Sequence, residues 1–136
     1  MANKTYAQEW LSFAKKNLDT ANLLFSVNHY EDIIGVEIQQ CIEKTIKSVN
    51  AYFGIKIPKE HDLVKLYFVV EDNIKLNDEE IVLLKIATNY YKEERYPNPN
   101  YSPPPKDEIK QVLSFAQILF FKICNLFKIE IENLRQ

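Results

Sequence analysis

The stretch DIIGVEIQQCIEKTIKSVNAYF, residues 32–53, gives the strongest indication of the fold class of this chain. Its apolar and aromatic residues recur every three or four positions, so at 100° per residue they form one face of an amphipathic helix. That face consists of Ile34, Ile38, Ile42, Thr45, Val49, Tyr52 and Phe53. Gly54 follows where a left-handed residue commonly ends a helix, and Pro58 prevents a restart nearby. The pattern predicts a helix over 32–53.

The segments on either side of this helix show the same spacing. A first helix is predicted from Tyr6 to Val27, with an apolar stripe made of Trp10, Phe13, Ala14, Leu18, Ala21, Leu24 and Phe25. HDLVKLYFVVEDN, residues 61–73, predicts a short helix packed by Leu63, Leu66 and Val70.

The last two predicted helices flank a proline-rich stretch. A fourth helix begins at Asn77, which with Glu80 fits a capping box, and it is expected to reach Arg95 because Pro97 disfavours helical geometry at Tyr96. Its inward face contains Ile81, Leu84, Thr88 and Tyr91. The final helix starts within residues 102–105 and runs for about 28 residues, roughly 40 Å.

These elements predict an all-α, up-and-down bundle of four long helices plus one short helix, in a single domain over residues 1–136. Glycine occurs only at positions 35 and 54, so hairpin turn signals are scarce. A net charge of −2 excludes a general cationic field for nucleic acid, so any RNA contact must be local.

The chain is expected to be cytoplasmic, without a membrane span. Its most apolar segment, ILFFKICNLF, is interrupted by Lys122 well short of the roughly 20 apolar residues that a span requires. Cys41 and Cys124 lie inside apolar helical patterns without a CxxC pairing, which indicates buried free thiols.

A polar stripe lies opposite the apolar face of the 32–53 helix. Gln40, Glu43, Lys44 and Lys47 occupy positions i, i+3, i+4 and i+7. An amphipathic helix ordinarily turns such a stripe to solvent, and Glu43 and Lys47 form a favourable i,i+4 ion pair there. The spacing alone therefore favours a solvated face over a binding site.

The two histidines predict neither a mutual acid–base pair nor a metal site. His61 and Asp62 are adjacent, so in a helix they would point about 100° apart, and Asp62 is better explained as a helix N-cap. His29 lies far away in sequence at a helix break. Isolated histidines and two core cysteines offer no metal-ligand spacing, and no cofactor motif is visible.

The stretch NYYKEERYPNPNYSPPPKDE, residues 89–108, contains five of the six prolines. Tyr90, Tyr91 and Tyr96 surround Arg95 at a predicted helix C-terminus. A cation there can satisfy free carbonyls at the helix end, or the guanidinium can bind a phosphate from a stiff proline frame. Both interpretations remain open on the residues alone.

Three motifs in order give the chain a resemblance to the HEPN family of prokaryotic helical proteins. They are QQCIEKTIKSV, HDLVKL and YYKEERYP, behind an early helix with Trp10. The matching positions are Gln40, Glu43, Lys44, Lys47, His61, Asp62, Leu63, Tyr91, Arg95, Tyr96 and Pro97. The resemblance implies a bundle of about five helices, a homodimer, and a minimal nucleotidyltransferase as partner, often as toxin and antitoxin.

Several members of the family that the chain resembles are metal-independent ribonucleases. Their motif is R-x(4–6)-H, which from Arg95 would place the histidine at position 100, 101 or 102. Here positions 100–102 are Asn100, Tyr101 and Ser102, so the general acid–base histidine has no direct substitute. The resemblance therefore implies a non-catalytic partner that binds nucleotide or RNA phosphate. Its candidate residues are Arg95, Tyr96, Tyr91, Lys44, Lys47, Gln40, Glu43, His61 and Asp62. The alternative is a ribonuclease toxin with a degenerate motif, using His61 or Tyr101 as its base.

Overall fold

A computed structural model describes residues 3–91 and 102–134, and this part of the chain is all-helical. The elements are α1 (Lys4–Ser26), α2 (Glu31–Phe53), α3 (Leu63–Val70), α4 (Asp78–Thr88), α5 (Lys106–Leu126) and a 3₁₀ helix (Ile131–Leu134). The predicted all-α bundle is confirmed.

Most helix ends lie where local sequence predicted them. Asn77 and Glu80 form the complete capping box of α4, and the Asp62 carboxylate accepts the backbone N–H groups of Val64 and Lys65 at the start of α3. Gly54 ends α2 in the left-handed conformation, with φ 67°.

Two predicted helix ends are wrong. α4 ends at Thr88 and not at Arg95, because Asn89 and Tyr90 form a turn that closes on the carbonyls of Ile86 and Ala87. α5 has 21 residues, fewer than expected, because Lys128 adopts φ 54° and breaks the helix after Leu126. Pro97 and Pro99 lie outside the described residues.

The helix α2 occupies the centre of the bundle. α1 runs antiparallel to it, since the Asn3 N–H donates to the Tyr52 carbonyl at 2.8 Å while Asn17 reaches Lys44. α5, α3 and α4 pack on its other sides, so nearly every side chain from Ile38 to Ala51 is buried, polar ones included. The solvated face expected along α2 therefore does not exist at Glu43 and Lys47.

The helix α5 is the one described element long and apolar enough to cross a membrane. Half of its most apolar 18-residue window is buried inside the bundle, where Ile109, Leu119 and Ile123 join the core. Cys41 in α2 and Cys124 in α5 are buried free thiols, as expected. Burial raises the pKa of Cys41 to about 12 and that of Cys124 to about 11.

Candidate functional site

A buried polar cluster lies on one face of α2. Gln39, Glu43 and Lys47 are spaced four residues apart, so their side chains line up along the helix. Their exposed fractions are 0%, 4% and 7%. Burying an ion pair in this way is costly unless its remaining hydrogen-bonding groups are satisfied, so the partners of Glu43 determine whether the cluster is stable.

The Glu43 carboxylate is the centre of the cluster. Its Oε2 accepts from Lys47 Nζ at 3.0 Å, and its Oε1 accepts from Gln39 Nε2 at 3.2 Å and from His61 Nδ1 at 2.9 Å. Burial by itself raises the pKa of Glu43, but the hydrogen bonds from His61, Lys47 and Gln39 outweigh it and lower that pKa below its usual value. Glu43 is therefore a carboxylate at neutral pH.

His61 reaches this carboxylate from the loop between α2 and α3. Its carbonyl accepts from Gln39 Nε2 at 2.9 Å, and its backbone N–H donates to Glu60 at 3.1 Å. Asp62 then caps α3, and the Leu63 N–H donates to Thr88 Oγ1 at 3.0 Å. The loop backbone is consequently held on both sides of His61.

The His61 imidazole lies between a buried carboxylate and an aromatic ring. An ionised carboxylate only accepts hydrogen bonds, so Nδ1 of His61 is protonated and donates to Glu43. The ring also stacks on Tyr91, with centroids 4.4 Å apart and planes inclined by 29°. Its side chain remains 41% exposed, so the imidazole is positioned by the protein and still accessible from outside.

Lys44 and Gln40 belong to the edge of this cluster. Lys44 Nζ donates to Asn17 Oδ1 on α1 at 2.8 Å, and Asn17 in turn donates to Glu37 at 2.9 Å. The pKa of Lys44 is lowered because its ammonium group is partly buried. The neighbouring carboxylates of Glu43 and Glu37 act in the opposite direction but do not outweigh this effect. Gln40 donates to the side-chain oxygen of Gln39 at 2.7 Å.

The structure thus brings together residues from all three sequence motifs. Glu43, Lys47, His61 and Tyr91 converge, Gln40 and Lys44 lie beside them, and Asp62 has the capping role expected of it. Arg95 and Tyr96 lie outside the described residues. Sequence reasoning missed Gln39, although its position four residues before Glu43 marks it as a neighbour on the same helix face.

The two ends of the stretch 89–108 are joined by a hydrogen bond between Tyr90 and Glu108. The Tyr90 hydroxyl donates to the Glu108 carboxylate at 2.6 Å, which joins the end of α4 to the start of α5. Burial and this carboxylate raise the pKa of Tyr90 well above its usual value, so the hydroxyl stays a donor. Tyr90 is therefore held to α5 through Glu108, and Tyr91 next to it lies beside His61.

This arrangement can orient an imidazole for binding or proton transfer. A carboxylate behind Nδ1 sets the tautomer and the ring plane, as in other carboxylate–histidine pairs. Within residues 3–91 and 102–134, no three His, Cys, Asp or Glu side chains come together as a metal site. The chemistry of this cluster is that of an oriented imidazole beside a buried ion pair.

Comparison with known proteins gives the chain its family. The HEPN domain model matches residues 7–125. The protein named "Putative toxin MJ1304" from Methanocaldococcus jannaschii is 32% identical over 104 residues, which cover 75% of this chain and 67% of that protein.

Solved structures show the same fold. ST0689, described as an archaeal HEPN homologue, has a TM-score of 0.70 at 18% identity, covering 90% of this chain and 98% of that one. TT1696 from Thermus thermophilus has a TM-score of 0.73 at 21% identity, covering 88% and 96%. The match of the family model over most of the chain, together with these similarities, shows that this protein belongs to the HEPN domain family.

Proposed function

We propose that this HEPN protein binds the phosphate of a nucleotide or RNA at the His61 cluster and works with a minimal nucleotidyltransferase in a toxin–antitoxin pair. The observation that carries the binding proposal is the position of His61, with Nδ1 2.9 Å from Glu43 and its ring 4.4 Å from that of Tyr91. Tyr91 precedes Arg95 by only four residues in the sequence. An arginine fork donates to phosphate oxygens, and the oriented imidazole donates from Nε2 when both of its ring nitrogens carry a proton.

The role in a toxin–antitoxin pair is supported by family membership and by the relative named as a toxin. The nucleotidyltransferase partner and the homodimer are the further expectations of the family resemblance. They can be tested by co-expressing the chain with the product of its neighbouring reading frame and measuring the mass of the purified assembly by light scattering. A monomer that retains no nucleotidyltransferase would contradict this part of the proposal.

Phosphate binding is tested by titrating ATP and a short RNA into the protein in EDTA, using calorimetry. His61→Asn keeps a side-chain N–H for Glu43 but replaces the imidazole, and Arg95→Lys keeps the charge but removes the fork. Each is expected to weaken binding about tenfold or more, since a hydrogen bond to a charged group contributes roughly 1.5–3 kcal/mol. Lys110→Gln removes an exposed charge on α5 and serves as the control. Equal affinities for all four proteins would refute the proposed site.

A second candidate, a metal-independent ribonuclease, is favoured by one specific observation. The Glu43 carboxylate orients the His61 imidazole, which is the geometry that a general acid or base requires. Total RNA incubated with protein in EDTA would be cleaved by the parent and spared by His61→Asn and Arg95→Ala. Intact RNA in every lane would exclude cleavage and leave binding as the function of the cluster.

A further inference from the structure

The seam between α1 and α2 carries an alternation of aromatic rings and lysines. Lys47 Nζ lies 5.8 Å from the centroid of Trp10, and one helical turn further along Lys44 Nζ lies 6.0 Å from the centroid of Phe13. Lys16 Nζ approaches the same Phe13 ring at 5.3 Å. Lys16 on α1 and Lys44 on α2 thus each place an ammonium group near the Phe13 ring.

Phe13 does not belong to the core, although the sequence places it in the apolar stripe of α1. Its side chain is 53% exposed, whereas Leu11 and Ala14 on either side of it are fully buried. Exposing an aromatic ring forfeits the free energy that its burial would contribute. Such a ring between two cations has the chemistry of a stacking platform for an unpaired base, with ammonium groups beside it that can contact phosphates.

Two of the lysines near Phe13 are neutralised by ion pairs, and two others remain to attract an anionic ligand. Lys15 is paired with Asp19 at 2.6 Å, and Lys47 is paired with Glu43, so neither contributes a net charge. Glu37 accepts from Asn17, which leaves the Lys44 ammonium hydrogen-bonded to a neutral amide oxygen. Among the described residues, Lys16 and Lys44 are therefore the two cations that face Phe13.

The surroundings of Phe13 connect it to the His61 cluster and to open space. Lys47 contacts both Trp10 and the Glu43 carboxylate that holds His61. On the other side, Phe13 and Lys16 line a groove of about 440 Å³ that follows α1 toward Asn133, and Glu9 lines the same groove beyond Phe13. A strand stacked on Phe13 thus has room to continue away from the His61 cluster.

We propose that Phe13, Lys16 and Lys44 form a second contact site for single-stranded RNA, with Phe13 stacking on an unpaired base and the two lysines contacting phosphates beside it. This proposal rests on the proposed function, because it extends phosphate binding at His61 to a longer strand. The ligand of the combined site is then an unpaired polynucleotide, which is longer than a mononucleotide.

The test measures the fluorescence anisotropy of a labelled single-stranded RNA as the full chain is added in EDTA. The RNA is about 12 nucleotides long, three times the smallest single-strand site of about four nucleotides. Phe13→Leu keeps an apolar side chain and removes the ring, and it is expected to weaken binding roughly 5- to 150-fold, the effect of losing one stacked base. Phe68→Leu is the matched control, since Phe68 on α3 is 52% exposed. The same RNA annealed to its complement should bind both variants equally, because paired bases are not available for stacking.

The lysines are tested through the salt dependence of binding. Lys16→Gln should make the slope of log affinity against log salt less negative by about 0.7, the effect of one phosphate contact on a single strand. Lys110→Gln removes an exposed lysine on α5 and should leave the slope unchanged. Circular dichroism melting of every variant confirms that folding is retained, as expected for exposed positions.

Each outcome bears on one of the two proposals. Equal affinity of Phe13→Leu and Phe68→Leu for the RNA would overturn the stacking site, while a dependence of ATP binding on His61 would leave the proposed function intact. Loss of RNA binding by Phe13→Leu with ATP binding unchanged supports the stacking site. If Phe13→Leu loses a protein partner but not RNA, the patch is a protein-docking surface and the stacking site is refuted. A parent protein that binds neither ATP nor RNA overturns both.

Discussion

At the scale of single residues, the cluster depends on one carboxylate. Glu43 holds a buried lysine, a buried glutamine and a partly exposed imidazole, so it links stability to the candidate site. Removing one member of a buried ion pair leaves the other charge without compensation, and this costs more than the pair itself contributes. Among the members of the cluster, Glu43 is therefore the residue whose replacement should have the largest effect on stability.

We expect Glu43→Gln to lower the free energy of unfolding by about 3 kcal/mol, because Lys47 stays buried without a counter-charge. The measurement is urea unfolding at neutral pH. Glu43→Gln combined with Lys47→Met removes both charges and should recover much of the loss. If the double variant is no more stable than the single one, the pair is not the cause.

The same carboxylate should make stability depend on pH. The pKa of Glu43 in the folded chain lies below its ordinary value of 4.5, so its stabilising contribution is fully present above about pH 4.5 and is lost as the pH falls through the lower folded value. The fall in unfolding free energy between about pH 7 and about pH 3.5 should be smaller in Glu43→Gln than in the parent. Parallel pH profiles for the two proteins would contradict this assignment.

At the scale of elements, the position of α4 relative to α2 depends on a glycine. Gly35 lies buried in the first turns of α2, and a Cβ built there would stand 2.9 Å from Cγ of Tyr90. Tyr90 therefore packs directly on the α2 backbone, and its hydroxyl reaches Glu108 on α5. Tyr90 thus joins the end of α4 to both α2 and α5.

We expect Gly35→Ala to destabilise the protein by up to about 2 kcal/mol, since overpacking costs about 1–3 kcal/mol and the gain in helix propensity is about 1 kcal/mol. Urea unfolding measures this. Ser114→Ala at an exposed position of α5 is the control and should be neutral or slightly stabilising. An increase in stability for Gly35→Ala would show that Tyr90 moves away without cost.

At the scale of the whole molecule, the two cysteines report on opening of the bundle. Cys41 is fully buried in α2 and Cys124 is 1% exposed in α5, and burial raises both thiol pKa values. A thiol reacts as the thiolate and only when reagent can reach it. Because they lie in different helices of one core, both should become reactive only when the core opens.

Labelling with a disulfide reagent should therefore be slow in the native protein, and its rate should rise with urea in parallel with unfolding. A Gln111→Cys variant places a thiol at an exposed position of α5 and should react within the mixing time at that site. Rapid reaction of either native cysteine without urea would show that the bundle opens locally.

The helices themselves were predictable because their signals are local. Apolar spacing, the Asn77 capping box, the Asp62 N-cap and the glycine at 54 each act within a few residues of the element they define. The membership in the HEPN family could likewise be anticipated from three short motifs. The wrong ends of α4 and α5 come from turns at Asn89 and Lys128, which carry no proline or glycine signal.

Local patterns in the sequence are enough to predict an all-helical chain and to identify the three motifs from which the candidate site is built. Three features depend on tertiary packing: Glu43 and Lys47 on α2 are buried, His61 contacts Glu43 from 18 positions away, and Phe13 points outward. Periodicity reports which residues share a helix face, but burial depends on how many other elements pack around that helix. α1, α3, α4 and α5 pack around α2, and this is why Gln39, Glu43 and Lys47 are buried and bind one another.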